Sequence, residues 1–130
     1  MTDPVGDLIN RLKNAQAVGH ERAALPYSRL KEAIAQKLSE RGYVGAVAKK
    51  TKKRGDVLEI ELAYRDDGTP RIRGAERLSR PGRRLYRGAG EVPRVKQGLG
   101  ATVVSTPKGI LTDREARREG AGGELLFSIW

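Results

Sequence analysis

The stretch VLEIELAY, residues 57–64, alternates without interruption: Leu58, Ile60, Leu62 and Tyr64 fall on one side, Glu59 and Glu61 on the other. A period of two with one apolar and one charged face predicts a strand half-buried in a sheet. Just before it, KKTKKRGD (residues 49–56) reads as a charged turn and YVGAVA (43–48) as a short apolar strand. The basic residues of that turn could clamp an anionic backbone. The simpler reading is a charged tip that discourages edge pairing.

Further upstream the period becomes helical. Asp3 suits an N-cap and Pro4 the first helical position. Val5, Leu8, Ile9, Leu12 and Ala15 then recur at helical spacing, and Gly19 can stop the helix. ERAALPY (21–27) is a short extended piece. Ser28 caps a second predicted helix, with Leu30, Ala33, Ile34 and Leu38 on its buried face and Gly42 as its stop. The order is α-β-α-β-β.

Downstream, RDDGTP (65–70) is rich in turn formers and marks a boundary. The expected organisation is α+β: an N-terminal α-β-α-β-β domain over 1–66, packed against a strand-rich C-terminal domain with short helices over 67–130. In the latter, RIRGAERL and RRLYRG flank a proline turn at SRPG. EVPRVKQG suggests one helical turn closed by Gly98. ATVVS and GIL are strands on either side of Thr106-Pro107-Lys108-Gly109, a type I turn by composition. Thr112 with Glu115 three residues later is a capping box, opening a short helix that Gly120 ends. GELLFSIW (123–130) alternates Leu125, Phe127 and Ile129 against Leu126, Ser128 and Trp130, a final strand.

At 130 residues the chain can bury about 70% of its unfolded surface without staples, and with no cysteine it has no disulfide to offer. The N-terminus lacks the pattern of a signal peptide, and no run approaches the roughly 18 apolar residues of a membrane helix, so a soluble, cytoplasmic protein is expected. Charge is the strongest bulk signal: 26 basic against 16 acidic residues leaves +10. Each half of the chain carries part of that excess, so it is not a tail. The cluster Arg71, Arg73, Arg77, Arg80, Arg83, Arg84, Arg87, Arg94 and Lys96 is opposed only by Glu76 and Glu91. Such a field attracts polyanions, and nucleic acid is favoured over a merely solvated face.

Catalysis is poorly provisioned. His20 is the only histidine, Asp66-Asp67 sit in a turn, and the phosphate-loop pattern is absent. An enzyme is not expected, nor is a metal or other cofactor. RNA chemistry is better supplied. Arginine offers forked donors and a flat face, and Tyr86 between arginines either stacks on an unpaired base or fills a core. In VVSTPKGILTD (103–113), Ser105, Thr106 and Lys108 either decorate a turn or present hydrogen bonds and charge to RNA. On chemistry alone the turn is the simpler reading.

Three stretches together, DPVGDLINRLKNAQ (3–16), RLSRPGRRLYRG (77–88) and EVPRVKQGLGATVVSTPKGILTDREARREGAGGELL (91–126), resemble the bacterial small-subunit ribosomal protein S-eight family. The resemblance implies a primary binder of 16S ribosomal RNA that docks on the central domain, aids 30S assembly and sits in the cytoplasmic small subunit beside neighbouring ribosomal proteins. In some members it also implies repression of the operon's own messenger RNA. No membrane, small-molecule substrate or homo-oligomer is expected. Position by position, it implies RNA contacts at Ser105, Thr106, Lys108 and Gly109, at Tyr86, and at the Gly122-Gly123-Glu124 turn; Arg84 and Arg87 beside Tyr86 are candidates for phosphate by their charge. A second backbone contact is implied at Ser28, Arg29 and Lys31, where a helix N-terminus suits phosphate. Pro107 stands where many members carry another serine. Phe127 stands where cysteine is common, and reads as packing.

Overall fold

The computed structural model describes residues 3–130. The fold is α+β, and the chain divides into two compact units: residues 4–72, and residues 73–130 together with Asp3.

The first unit runs α1 (Pro4–Ala17), β1 (Arg22–Pro26), α2 (Arg29–Glu40), β2 (Val44–Lys52) and β3 (Gly55–Leu62), the expected α-β-α-β-β order. Its antiparallel sheet is ordered β1-β3-β2, so the alternating strand is central. Leu58 and Ile60 are fully buried while Glu61 is exposed. α1 packs on β1 and α2 on β2, contributing Leu8, Leu12, Ile34 and Leu38 to the core. Each such side chain stabilises by about 2 kcal/mol. A surface pair such as Arg11–Asp7, at 3.2 Å, contributes about 0.5 kcal/mol. Apolar burial decides this unit.

Three details differ from expectation. The buried stripe of α2 is Lys31, Ile34, Ala35 and Leu38, whereas Leu30 is 36% exposed. The stripe is turned by one position because a lysine stem can cover apolar surface as well as a leucine does. The second strand also continues to Lys52, leaving only Lys53 and Arg54 as the hairpin loop. Strand pairing there takes up residues that look like turn by charge alone. Finally, β3 ends at Leu62, and Tyr64 lies beyond it, its hydroxyl donating to His20 O at 2.6 Å.

The turn at 65–70 is closed by a bridge between Tyr64 and Pro70. In it Asp67 Oδ1 accepts from Thr69 N and Thr69 Oγ1 at 3.0 and 2.7 Å, which spends that carboxylate on the turn.

The second unit contains β4 (Ala75–Arg77), β5 (Tyr86–Arg87), β6 (Ala101–Thr106), β7 (Gly109–Thr112), α3 (Asp113–Glu119) and β8 (Gly123–Ile129). Its antiparallel sheet runs β4-β8-β6-β7, with β5 also pairing β8. The two arginine-rich segments yield only three and two residues of strand. Between them the turn Arg80-Pro81-Gly82-Arg83 is closed at 2.8 and 2.9 Å and clamped by buried Ser79, whose Oγ accepts from Leu85 N at 2.8 Å.

EVPRVKQG holds its helical turn only at the end, a 3-10 turn over Lys96–Gly98. Another 3-10 turn forms earlier, at Ala89–Glu91, and the bend at Lys96–Gly98 holds Lys96 and Gln97 at φ 49 and 55. Pro93, lacking an N–H, cannot continue a helix across the segment. β8 is also covered on both faces, Leu126 and Ser128 being buried as well as Leu125, Phe127 and Ile129. The capping box is present: Glu115 Oε1 accepts from Thr112 N at 3.0 Å.

All three helices of the described residues end alike. His20 N, Tyr43 N and Ala121 N reach back six-to-one to Ala15 O, Leu38 O and Ala116 O, one residue after Gly19, Gly42 and Gly120.

Candidate functional site

The second unit gathers most of the sequence-flagged residues at one corner of its sheet. The pairing places Tyr86 opposite Glu124, and Glu124 opposite Ser105, in one row across β5, β8 and β6. Directly opposed residues of antiparallel strands project to the same face, their Cβ atoms about 5 Å apart. Tyr86 is 60% exposed, so its ring is not core and this face opens to solvent.

The next row carries the closest packing. A Cβ on Gly123 would lie 2.0 Å from Ser105 O, and one on Gly122 would lie 2.4 Å from Arg87 O. Neither approach is to a flexible side chain. The two glycines are what lets the start of β8 thread between β5 and β6, bringing Tyr86, Arg87, Ser105 and Thr106 together.

The hairpin loop between β6 and β7 consists of Pro107 and Lys108 alone, with Thr106 paired to Gly109. Gly109 has φ 114, the left-handed residue that follows a type I turn in a tight hairpin. The two hydroxyls part company here. Thr106 Oγ1 donates to Gly109 O at 2.8 Å and accepts from Lys108 N at 3.1 Å, so it belongs to the turn. Ser105 Oγ has no hydrogen-bond partner among the described residues and stays open. Lys108 Nζ donates to Glu119 O at 3.2 Å, resting on the negative end of α3.

Charges at the corner are ordered too. Arg84 Nη1 meets both carboxylate oxygens of Glu124 at 3.3 and 3.4 Å; Arg84 is 58% exposed and Glu124 only 15%. Arg87 Nη1 donates to Tyr86 O at 2.7 Å. The acid is thus neutralised at the sheet while the guanidinium keeps an outward edge. An arginine so held retains donors for a phosphate oxygen.

Beneath the corner lies a polar network with no period in the sequence to announce it. Asp113, 1% exposed, accepts from Arg117 Nη2 at 2.6 Å and from Thr102 N at 3.3 Å. Arg117 Nη1 also reaches Val92 O at 3.0 Å, and Thr102 Oγ1 donates to Pro93 O at 3.1 Å. Together these tie α3, β6 and the 92–93 segment to one another and seat Val92 against Val104 and Leu125. The sole hint was Arg117 four residues after Asp113.

In the first unit, Ser28 Oγ accepts from Lys31 N at 3.1 Å as the N-cap of α2. Arg29 is exposed, whereas Lys31 is 7% exposed, its stem within the helix's packed face. Nearby, Tyr27 donates to Glu32 Oε1 at 3.0 Å, and Lys49 Nζ lies 4.4 Å from the centre of the Tyr27 ring. The hydrogen bond to Glu32 leads in raising the Tyr27 hydroxyl above its ordinary pKa. Among the described residues, no three His, Cys, Asp or Glu side chains converge as a metal site would require, and no helix is long and apolar enough to cross a membrane.

A family model described as Ribosomal protein S8 matches residues 3–130. The chain is 45% identical over 130 residues to the small ribosomal subunit protein uS8 of Rubrobacter xylanophilus, covering 100% of this chain and 98% of that one. The uS8 proteins of an Acidovorax species and of Leptothrix cholodnii are 47% and 48% identical over 129 residues, covering 99% of this chain and 98% of each relative.

Proposed function

The chain belongs to the ribosomal protein S8 family, a structural and non-catalytic component of the small ribosomal subunit, and from that premise we propose that it binds the central domain of 16S ribosomal RNA through the β5-β8-β6 corner and supports 30S assembly there. Ser105 supplies an unengaged donor and acceptor for a base edge or a 2′-hydroxyl. Tyr86, in the same row across Glu124, offers a ring for an unpaired base. Arg84 and Arg87 flank it with donors for phosphate, setting register without sequence information. Thr106, Gly109, Gly122 and Gly123 act as the frame, because their atoms are committed to the turn and to close backbone contact. Lys108 adds charge from the end of α3.

The N-terminal unit adds a second backbone contact at the start of α2, through Arg29 and the free amide groups beside Ser28, with Lys31 supplying mainly its helix position. In this division of labour the C-terminal domain reads the RNA and the N-terminal domain supplies affinity. Ribosomal RNA and neighbouring small-subunit proteins are then its partners.

The observation that carries the reading is the open Ser105 hydroxyl in one row with an exposed Tyr86. Footprinting on small-subunit RNA tests it. Protection of a distorted, partly unpaired helix of the central domain is expected. Ser105→Ala should lower affinity for that fragment roughly tenfold, a loss of about 1.4 kcal/mol, and leave affinity for an unrelated RNA hairpin unchanged. Equal losses on both RNAs would remove the corner as the reader.

A further inference from the structure

The β2–β3 hairpin and the edge of β1 enclose an open groove of about 590 Å³, remote in sequence from the corner and assigned no role by it. Arg11, Lys52, Lys53 and Arg54 line it, over a floor that includes Leu25, Pro26 and Val57. Asp56 is the one acid in its lining, and Lys49 Nζ already matches it at 3.5 Å. Arg11 is held by Asp7 and by Ala24 O, at 3.2 Å each. Lys52, Lys53 and Arg54 are exposed and have no ion-pair or side-chain hydrogen-bond partner among the described residues.

Edge protection does not account for this arrangement. In the order β1-β3-β2 both β1 and β2 are edges, but of the three unpaired cations only Lys52 lies in a strand. Lys53 and Arg54 form the loop itself and guard no ladder. Three unpaired cations beside a fourth that is fixed, over a partly apolar floor, match a phosphodiester backbone: phosphates meet the charges and sugars meet the floor.

We propose that this groove is a further RNA-backbone site, an affinity contact that carries no sequence information. The proposal rests on the RNA-binding reading but not on the Ser105 corner.

Two measurements on the full-length protein test it. In the first, Lys52→Gln, Lys53→Gln and Arg54→Gln are combined and compared with a charge-matched control, Lys13→Gln with Arg65→Gln and Arg118→Gln, exposed positions outside the groove. The groove variant should flatten the salt dependence of binding to the protected ribosomal fragment by about two units of slope or more, at roughly one unit per lost phosphate contact. The control should change it by less than about one unit. An unchanged slope, or an equal change in both variants, overturns the proposal: the first outcome leaves a solvated tip, the second a net-charge effect.

In the second, Lys53→Cys gives the chain its only thiol, to which a hydroxyl-radical probe is attached. Localised cleavage of the bound ribosomal fragment is expected, and its absence overturns the proposal, whether the groove is empty or holds an acidic protein segment. Should the unmodified protein fail to prefer the ribosomal fragment over an unrelated hairpin, the assignment of the corner falls, while slope and cleavage still judge the groove.

Discussion

The two hairpins of this molecule share one backbone device and differ in almost everything attached to it. β2–β3 turns through Lys53 and Arg54 into Gly55 at φ 120; β6–β7 turns through Pro107 and Lys108 into Gly109 at φ 114. At the first, exposed cations surround the tip, and among the described residues no side chain hydrogen-bonds to Lys53, Arg54 or Gly55. At the second, Thr106 bonds both sides of the turn, proline fixes one dihedral, and Lys108 is moored to α3. The contrast is what separating affinity from specificity requires. A phosphate backbone tolerates mobile charges, because every nucleotide presents the same partner. Reading a distorted base site needs donors held in place before the ligand arrives, so that less entropy is lost on binding.

The largest effects should come from what lies under the second hairpin and has no counterpart under the first. Asp113→Ala would leave Thr102 N and the Arg117 guanidinium without their shared acceptor. Breaking a buried pair of this kind costs about 3 kcal/mol or more. Urea unfolding should show that loss as a lower midpoint, with Ser128 and Trp130 signals following the global transition. A loss below about 1 kcal/mol would mean that water replaces the carboxylate and that the network does not brace the corner.

Next come the glycines. Gly123→Ala drives a methyl into Ser105 O and should cost about 2–3 kcal/mol while parting β8 from β6. Gly55→Ala meets nothing within 4 Å and bears only the left-handed backbone, about 1 kcal/mol. Equilibrium unfolding of the two variants side by side measures the difference between close contact and dihedral strain. Equal losses would erase the distinction drawn between the hairpins. RNA binding by Gly123→Ala, assayed where it remains folded, should lose its preference for the ribosomal fragment; Gly55→Ala should keep it.

A smaller and sharper contrast lies within VVSTPKGILTD itself. Thr106→Ala removes two turn hydrogen bonds and should lower stability by about 1 kcal/mol. Ser105→Ala should change stability by less than about 0.5 kcal/mol, because its hydroxyl has no intramolecular partner to lose. Thermal unfolding separates the two, and binding then reports readout for Ser105 and framing for Thr106. If Ser105→Ala is the destabilising member, the hydroxyl is structural.

Much of this is legible in the sequence. Periodicity gave the first two helices, the central strand at 57–64 and the final strand, since each buries a face whose spacing is written in the chain; the third helix was marked by its capping box. Gly19, Gly42, Gly120 and the Thr112–Glu115 box marked ends correctly because capping is local chemistry. What escaped was set by tertiary pairing. β4 and β5 shrink to fragments because their only neighbour is β8, and only a few residues of each reach its edge. Lys31 took a core position that polarity alone assigns to solvent. At the corner, residue types pointed to RNA, but which hydroxyl is open depends on a turn geometry that both Ser105 and Thr106 could have served. Tyr86 likewise stood between core and surface until its strand proved to lie at the edge.

The smallest effect distinguishes a charge-anchored turn in the first unit from the hydroxyl-anchored turn in the second. Asp67 is held below its ordinary pKa of 3.8, first by the hydrogen bond from Thr69 Oγ1 and then by that from Thr69 N. The folded state therefore releases this proton more readily than the unfolded chain, so the stabilisation is fully present above about pH 4 and is lost as pH falls through the depressed folded value. Thr106 anchors its turn with a group that does not titrate in this range. In an acid titration followed by NMR, the Thr69 amide should move with the Asp67 carboxyl, at a midpoint below 3.8, while the Lys108 amide stays still through that midpoint. Asp67→Asn should remove the Thr69 titration and leave the Lys108 amide unmoved. A Thr69 amide that titrates at or above the ordinary aspartate value would show the Asp67–Thr69 bonds to be absent in solution. The 65–70 loop would then join the β2–β3 tip in lacking a side-chain anchor, and both would stand against the β6–β7 turn that Thr106 holds.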